Sequence, residues 1–189
     1  MATVTTPRLL TVEEYEQTGE VLGFRDELIE GERVLSPSPI FKHMLVIVQL
    51  ERILNNQLSE LSSESLRVVR ETGWRFQKSE SGADSVPIPD VMVIREEDAV
   101  RAGKSDGWFE GVPLLVIEVI SPSERRARRL QKVGLYLDMG VPSVVEVDYM
   151  RRALYVYTPE TDSAVVYRQG DQVISPFRAT VDEIFSVLD

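Results

Sequence analysis

Pro87-Ile88-Pro89-Asp90-Val91-Met92-Val93-Ile94 and, further on, Leu114-Leu115-Val116-Ile117-Glu118-Val119-Ile120-Ser121 are the two stretches on which the fold turns. Each has the length of a strand, and each is apolar enough to be covered on at least one face. Asp90 opens the first run and Glu118 interrupts the second. An ionised carboxylate in such a setting has to be paired, protonated or coordinated to a cation. The two acids lie 118 − 90 = 28 residues apart, room for a strand, a connection and a return strand alongside, so adjacent strand ends can bring them together. Two convergent carboxylates with access to water suit a hard divalent ion. Such an ion polarises a phosphoryl oxygen and lowers the pKa of a bound water, so metal-assisted hydrolysis is the first expectation. The plainer alternative has Asp90 ending a turn and Glu118 paired with an arginine.

Outward from these runs, composition sets the limits. A chain of 189 residues, 43% hydrophobic and 28% charged, fits one globular domain over residues 1–189 with a sizeable core. The absence of cysteine excludes disulfides, thiolate metal sites and thiol catalysis, and a single histidine leaves little for zinc. No apolar run approaches membrane-spanning length, and the opening Met-Ala-Thr-Val-Thr-Thr-Pro lacks a basic start followed by an apolar core. A cytoplasmic protein with no membrane partner is therefore expected. The formal charge of −10 argues against a protein that grips nucleic acid over its whole surface. It leaves room for a local basic face, and Arg125, Arg126, Arg128, Arg129 and Lys132 supply one just after the second run.

Helices and strands alternate along the rest of the chain. Thr11-Val12-Glu13-Glu14 has capping-box spacing and predicts a short helix over residues 11–18. Residues 24–35 read as two strands around Glu30-Gly31, and Ser36-Pro37-Ser38-Pro39 is punctuation before a helix from about residue 41. In that helix Ile47, Leu50, Leu54, Leu58 and Leu61 repeat at steps of three and four, with His43 near the stripe. Arg67 to Arg70 and Trp74 to Gln77 are predicted strands joined by Thr72-Gly73, and residues 79–85 a polar loop. Residues 95–112 read as a loop or short helix in which Trp108-Phe109 pins the chain or stacks a base. Ser121-Pro122-Ser123 predicts a break and a cap for a helix that ends at Gly140. Val144 to Asp148, Leu154 to Tyr157 and Val165 to Tyr167 continue as strands, with Glu146 and Asp148 on one face, expected to rim a site or meet solvent. Thr180 caps a last helix. The pattern is α/β (α+β), a single mixed domain.

The ordered set Glu27-Leu28-Ile29-Glu30-Gly31, Ser36-Pro37, His43, Pro89-Asp90-Val91, Glu118-Val119-Ile120-Ser121-Pro122-Ser123, Lys132, Tyr136, Gly140-Val141-Pro142 and Asp148 resembles the Uma-two family of bacterial restriction-endonuclease-like proteins, a branch of the PD-(D/E)XK nuclease superfamily. The resemblance implies a restriction-endonuclease-like mixed β-sheet flanked by helices. It also implies DNA phosphodiester hydrolysis dependent on Mg²⁺ or Mn²⁺, metal ligation by Asp90 and Glu118, and further catalytic candidates in Glu27 and His43. The superfamily's Glu-x-Lys is absent, because position 120 is isoleucine; Lys132 on the next helix is the replacement the resemblance offers. Removing that lysine side chain is expected to lower cleavage by about a hundredfold with the fold unchanged. Val144-Val145 replaces the family's aromatic pair, and Glu146 stands where an apolar residue is expected.

Arg125, Arg128 and Arg129 either contact DNA phosphates or form an exposed face. A homodimer is expected, since a duplex cut on both strands calls for two sites. Two other readings stay open: a non-catalytic interaction module that kept the fold, and a hydrolase of small phosphoesters, which the acidic charge would suit.

Overall fold

Val91, Met92, Val93 and Ile94 are all buried, and alternate residues point into two different apolar layers. That double burial places their strand inside a sheet with cover on both faces. The computed structural model describes residues 8–19, 21–60, 65–77 and 82–189. It begins with α1 (Val12–Glu16), whose Thr11 and Glu14 close a capping box. A hairpin of β1 (Phe24–Ile29) and β2 (Glu32–Pro37) follows. Its two turn residues, Glu30 and Gly31, both have positive φ, the tight turn whose twist matches paired strands. The long α2 (Phe41–Glu60) comes next, then β3 (Leu66–Arg70), the two-residue pair β4 (Phe76–Gln77) and β5 (Asp84–Ser85), and β6 (Val91–Arg95). The chain continues through α3 (Glu96–Ala102), β7 (Leu115–Val119), α4 (Arg126–Asp138), β8 (Val144–Asp148), β9 (Ala153–Tyr157) and β10 (Val165–Arg168). A small pair, β11 (Gln172–Val173) with β12 (Ala179–Thr180), leads into α5 (Val181–Phe185).

The central sheet has six strands in the order β10-β9-β8-β7-β6-β3. It is mixed: β7 and β8 are parallel, and every other neighbour is antiparallel. The parallel pair needs a crossover, which α4 supplies. One face packs Val91, Val93, Ile117 and Val145 against Val46, Ile47, Leu50 and Leu54 of α2 and against α5. The other packs Met92, Val116 and Val144 against Val133, Leu135 and Tyr136 of α4. The helix stripe expected from Ile47 to Leu58 is this inner face; Leu61 lies outside the described residues.

Two local expectations are corrected, and of the two readings of Trp108-Phe109 the structure bears out the pin. Arg67 to Arg70 and Trp74 to Gln77 do not form a hairpin: β3 pairs with β6 at the sheet edge, while Trp74 turns away into the second core layer, stacked on Tyr136 at 5.7 Å. Burying that large ring outweighs one more hydrogen-bonded pair. Gly73 permits the turn, since a Cβ there would lie 2.4 Å from the Trp108 ring. Trp108-Phe109 pins its loop, with Trp108 Nε1 donating to Glu16 at 3.0 Å and Phe109 buried. The Ser121-Pro122-Ser123 segment does not cap α4, which starts at Arg126 with no side-chain cap; the Ser121 and Ser123 hydroxyls bond each other at 3.0 Å.

Among the described residues no helix is long and apolar enough to cross a membrane.

Candidate active site

The register of β6 on β7 pairs Val91 with Ile117 and Val93 with Leu115. Continued by one residue, it sets Asp90 opposite Glu118 at the open end of the two strands. The side chain of Asp90 is 1% exposed and that of Glu118 15%. Both line a cavity of about 400 Å³, walled by Arg25, Glu27, His43, Lys132 and the Ser-Pro segments 36–39 and 121–123.

Each acid is tied down by other elements. Asp90 Oδ1 accepts from Arg25 Nη1 at 2.6 Å, and Oδ2 from the Val119 N–H at 2.6 Å. His43, from the first turn of α2, brings Nε2 to 3.3 Å from Oδ2, off the hydrogen-bonding direction, and among the described residues Nε2 has no hydrogen-bond partner. Burial alone would raise the Asp90 carboxyl. His43, the Arg25 guanidinium and the Val119 N–H outweigh it and hold the group down at about 2.

Glu118 is the counterpart. Its Oε1 accepts from the Tyr136 hydroxyl at 2.6 Å and lies 2.8 Å from Lys132 Nζ. Burial leads the shift of its carboxyl, and the Asp90 and Glu27 charges add to it. Together they outweigh Lys132 and push the group up to about 7.

Lys132 and Tyr136 stand four residues apart on α4, one turn above the other on the face that meets the sheet. Lys132 is bracketed by Glu118 and by Glu27 Oε1 at 3.1 Å, and Glu27 is itself fixed by the Ile88 N–H at 2.8 Å. Burial works against the ammonium, yet Glu118, Glu27 and Glu124 keep it charged and raise its pKa. Burial, then Glu118, Glu27 and Asp90, raises the Tyr136 hydroxyl, so it stays a donor.

All five expected residues, Asp90, Glu118, Lys132, Glu27 and His43, therefore meet around one cavity. The sequence reading overlooked Arg25 and Glu124, which share its wall; burial raises the Glu124 carboxyl. Arg25 sits two residues before Glu27, on the same side of β1, and this period was the available signal.

The basic cluster divides. Arg125 and Arg126 are exposed. Arg128 is 23% exposed and reaches Gln131 at 2.6 Å and Glu32 at 3.7 Å, while Arg129 is drawn inward, 18% exposed and 3.5 Å from Glu146. Glu146 and Asp148 do not meet solvent: each is 3% exposed. Glu146 pairs with Glu118 across β7 and β8 and accepts from Tyr157 at 2.7 Å. Asp148 instead caps the turn after its strand, accepting from the Met150 and Arg151 N–H groups.

Among the described residues no group of three or more histidines, aspartates or glutamates is placed to hold a metal ion. Two carboxylates remain. Mg²⁺ commonly takes one or two carboxylates and completes its shell with water and substrate oxygen, so Asp90 and Glu118, both open to the cavity, fit that ion.

The mixed sheet flanked by helices makes this a single-domain α/β protein. The chain belongs to the Uma2 family, described as "putative restriction endonuclease", which matches residues 12–182. It shares its fold with a "putative nuclease belonging to DUF820" from Anabaena variabilis, at a TM-score of 0.78 and 20% identity over 95% of this chain and 99% of the other. No curated protein matches the chain.

Proposed function

We propose that this protein is a metal-dependent endonuclease that hydrolyses phosphodiester bonds in DNA. The observation that carries the reading is the placement of Asp90 and Glu118 in one cavity with a buried lysine 2.8 Å from Glu118. A Mg²⁺ or Mn²⁺ held by these acids would polarise a phosphoryl oxygen and lower the pKa of a bound water. The chain's own groups supply the rest. Lys132, locked by Glu27 and Glu118, is a fixed positive charge for the negative charge that develops on the phosphate, with no reorganisation needed. Tyr136 fixes the Glu118 carboxylate, and Arg25 and the Val119 N–H fix Asp90, with His43 alongside at 3.3 Å. Arg125 and Arg126 at the start of α4 are the exposed cations that would meet flanking phosphates. Two copies of the chain would cut the two strands of a duplex.

The test is incubation of supercoiled circular DNA with and without Mg²⁺ or Mn²⁺. Nicked and linear products in metal alone, absent in Asp90→Asn, are expected. One feature favours a non-catalytic module: both Asp90 oxygens and Glu118 Oε1 already have protein partners. That reading predicts DNA or protein binding with no cleavage in any metal.

A further inference from the structure

Among the cavity's charged groups, Arg25 stands in an unexpected place. Its Nη1 lies 2.6 Å from Asp90 Oδ1 and also donates to the Ile88 carbonyl at 3.4 Å, while Nη2 reaches Glu71 at 3.3 Å. The Arg25 side chain is 14% exposed and faces the same cavity as Asp90 and Glu118. The remaining Asp90 oxygen is held by a backbone N–H. Asp90 thus already has a cation at Oδ1, and that cation is a side chain.

We propose that Arg25 is a positioning residue that serves as the resident counter-ion of Asp90, holding the carboxylate in place until a divalent ion takes over that charge. The inference rests on the metal reading above. Three features support it. A carboxylate as buried as Asp90 needs a positive partner, and Arg25 makes its shortest ion pair. The guanidinium, which lines the cavity, holds Oδ1, whereas the backbone N–H of Val119 on β7 holds Oδ2. Finally, Glu71 gives Arg25 an alternative partner at its second branch, so a guanidinium displaced from Asp90 is not left unpaired. Arg25 therefore competes with the metal for the same negative charge.

The test measures Mn²⁺ binding to the full-length protein without DNA, by electron paramagnetic resonance of free Mn²⁺, in the parent, Arg25→Gln, Asp90→Asn and the double variant. Removing a cation within a few ångströms of a divalent site should tighten Mn²⁺ binding by about tenfold or more. Arg25→Gln should also show a larger Mn²⁺-induced rise in melting temperature than the parent, because the ion restores the charge that Arg25 supplied. In the Asp90→Asn background the Arg25 change should have no effect on Mn²⁺ affinity. If the parent binds Mn²⁺ through Asp90 and Arg25→Gln binds it equally or more weakly, Arg25 is not a competitor and the proposal is overturned while the metal reading stands. If neither protein binds Mn²⁺, the metal reading falls and takes this inference with it. Should Arg25→Gln fold only in Mn²⁺, that rescue is itself the expected result. Should it fold in neither condition, Arg25→Lys decides: it keeps the charge, so Mn²⁺ affinity close to that of the parent is expected, and a gain of about tenfold, as large as removal of the charge should give, overturns the proposal.

Discussion

Lys132 is the residue for which structure changes the expectation most. As a catalytic group on a helix surface it could be removed without harm to the fold, but it is bracketed by Glu27 and Glu118 and almost fully buried. Removing one partner of a buried ionic cluster leaves the others unpaired. Lys132→Ala should therefore lose cleavage and also destabilise the protein by about 3–5 kcal/mol in urea denaturation. A variant as stable as the parent would show that the two acids do not depend on the ammonium. Tyr136→Phe is the gentler probe. It deletes one hydroxyl that donates to Glu118 at 2.6 Å, a hydrogen bond to a charged acceptor worth about 1.5–3 kcal/mol. Its stability loss should shrink in Glu118→Gln, and equal losses in both backgrounds would mean that the hydroxyl does not act through Glu118.

At the scale of elements, α4 has two jobs on two faces. Its inner face carries Lys132, Val133, Leu135 and Tyr136 to the sheet, and its N-terminal end presents Arg125 and Arg126 to solvent. The arginines of this helix should accordingly separate by experiment. Arg125→Ala with Arg126→Ala should weaken DNA binding evenly across sequences and flatten the log–log salt dependence by roughly 0.9 for each phosphate that is no longer neutralised. Arg129→Ala should instead cost stability, about 1–3 kcal/mol, because it leaves Glu146 with Tyr157 as its remaining partner. Binding measured in Ca²⁺, with thermal melts of the same samples, distinguishes the two outcomes. A salt slope changed only by Arg129→Ala would reverse the assignment. At the opposite end, α1 is held by its capping box; Thr11→Ala should cost about 1 kcal/mol, readable as a small fall in melting temperature with cleavage intact.

For the whole molecule, the acid cluster sets a cost that a cation relieves. Asp90, Glu118, Glu27 and Glu124 share one cavity wall, and burial first, then the charges of Asp90 and Glu27, raises the Glu118 carboxyl. A divalent ion that binds only the folded chain should stabilise it, by about 2.7 kcal/mol at a hundredfold excess over Kd. Differential scanning calorimetry with Mg²⁺ or Mn²⁺ against a chelator checks this, and an unchanged melting temperature in Asp90→Asn locates the effect. An equal rise in that variant would place the ion elsewhere.

The sequence by itself determined the elements whose signals are local. Apolar runs marked β6 and β7, the steps of three and four from Ile47 to Leu58 marked the buried face of α2, and the capping residues Thr11 and Thr180 marked helix starts. It also made the acid pair legible, because a carboxylate breaking an apolar run is costly wherever the strand packs. The ordered motifs, read as a family resemblance, added Lys132, Glu27 and His43. Only the tertiary structure decided which charges pair. Arg25 meets Asp90 across 65 positions of chain, and Lys132 meets Glu27 across 105. Nothing in the local pattern of either partner specifies such pairings, since they depend on how the β1–β2 hairpin lies against the sheet end. The same holds for Trp74, whose strand-like neighbourhood predicts pairing with β3, whereas the space beside Tyr136 claims its ring. Arg129 and Glu146 illustrate the rule for charges: both look solvent-facing in sequence, and both turn inward because the strand beside Glu118 puts a carboxylate under the helix that carries the arginine.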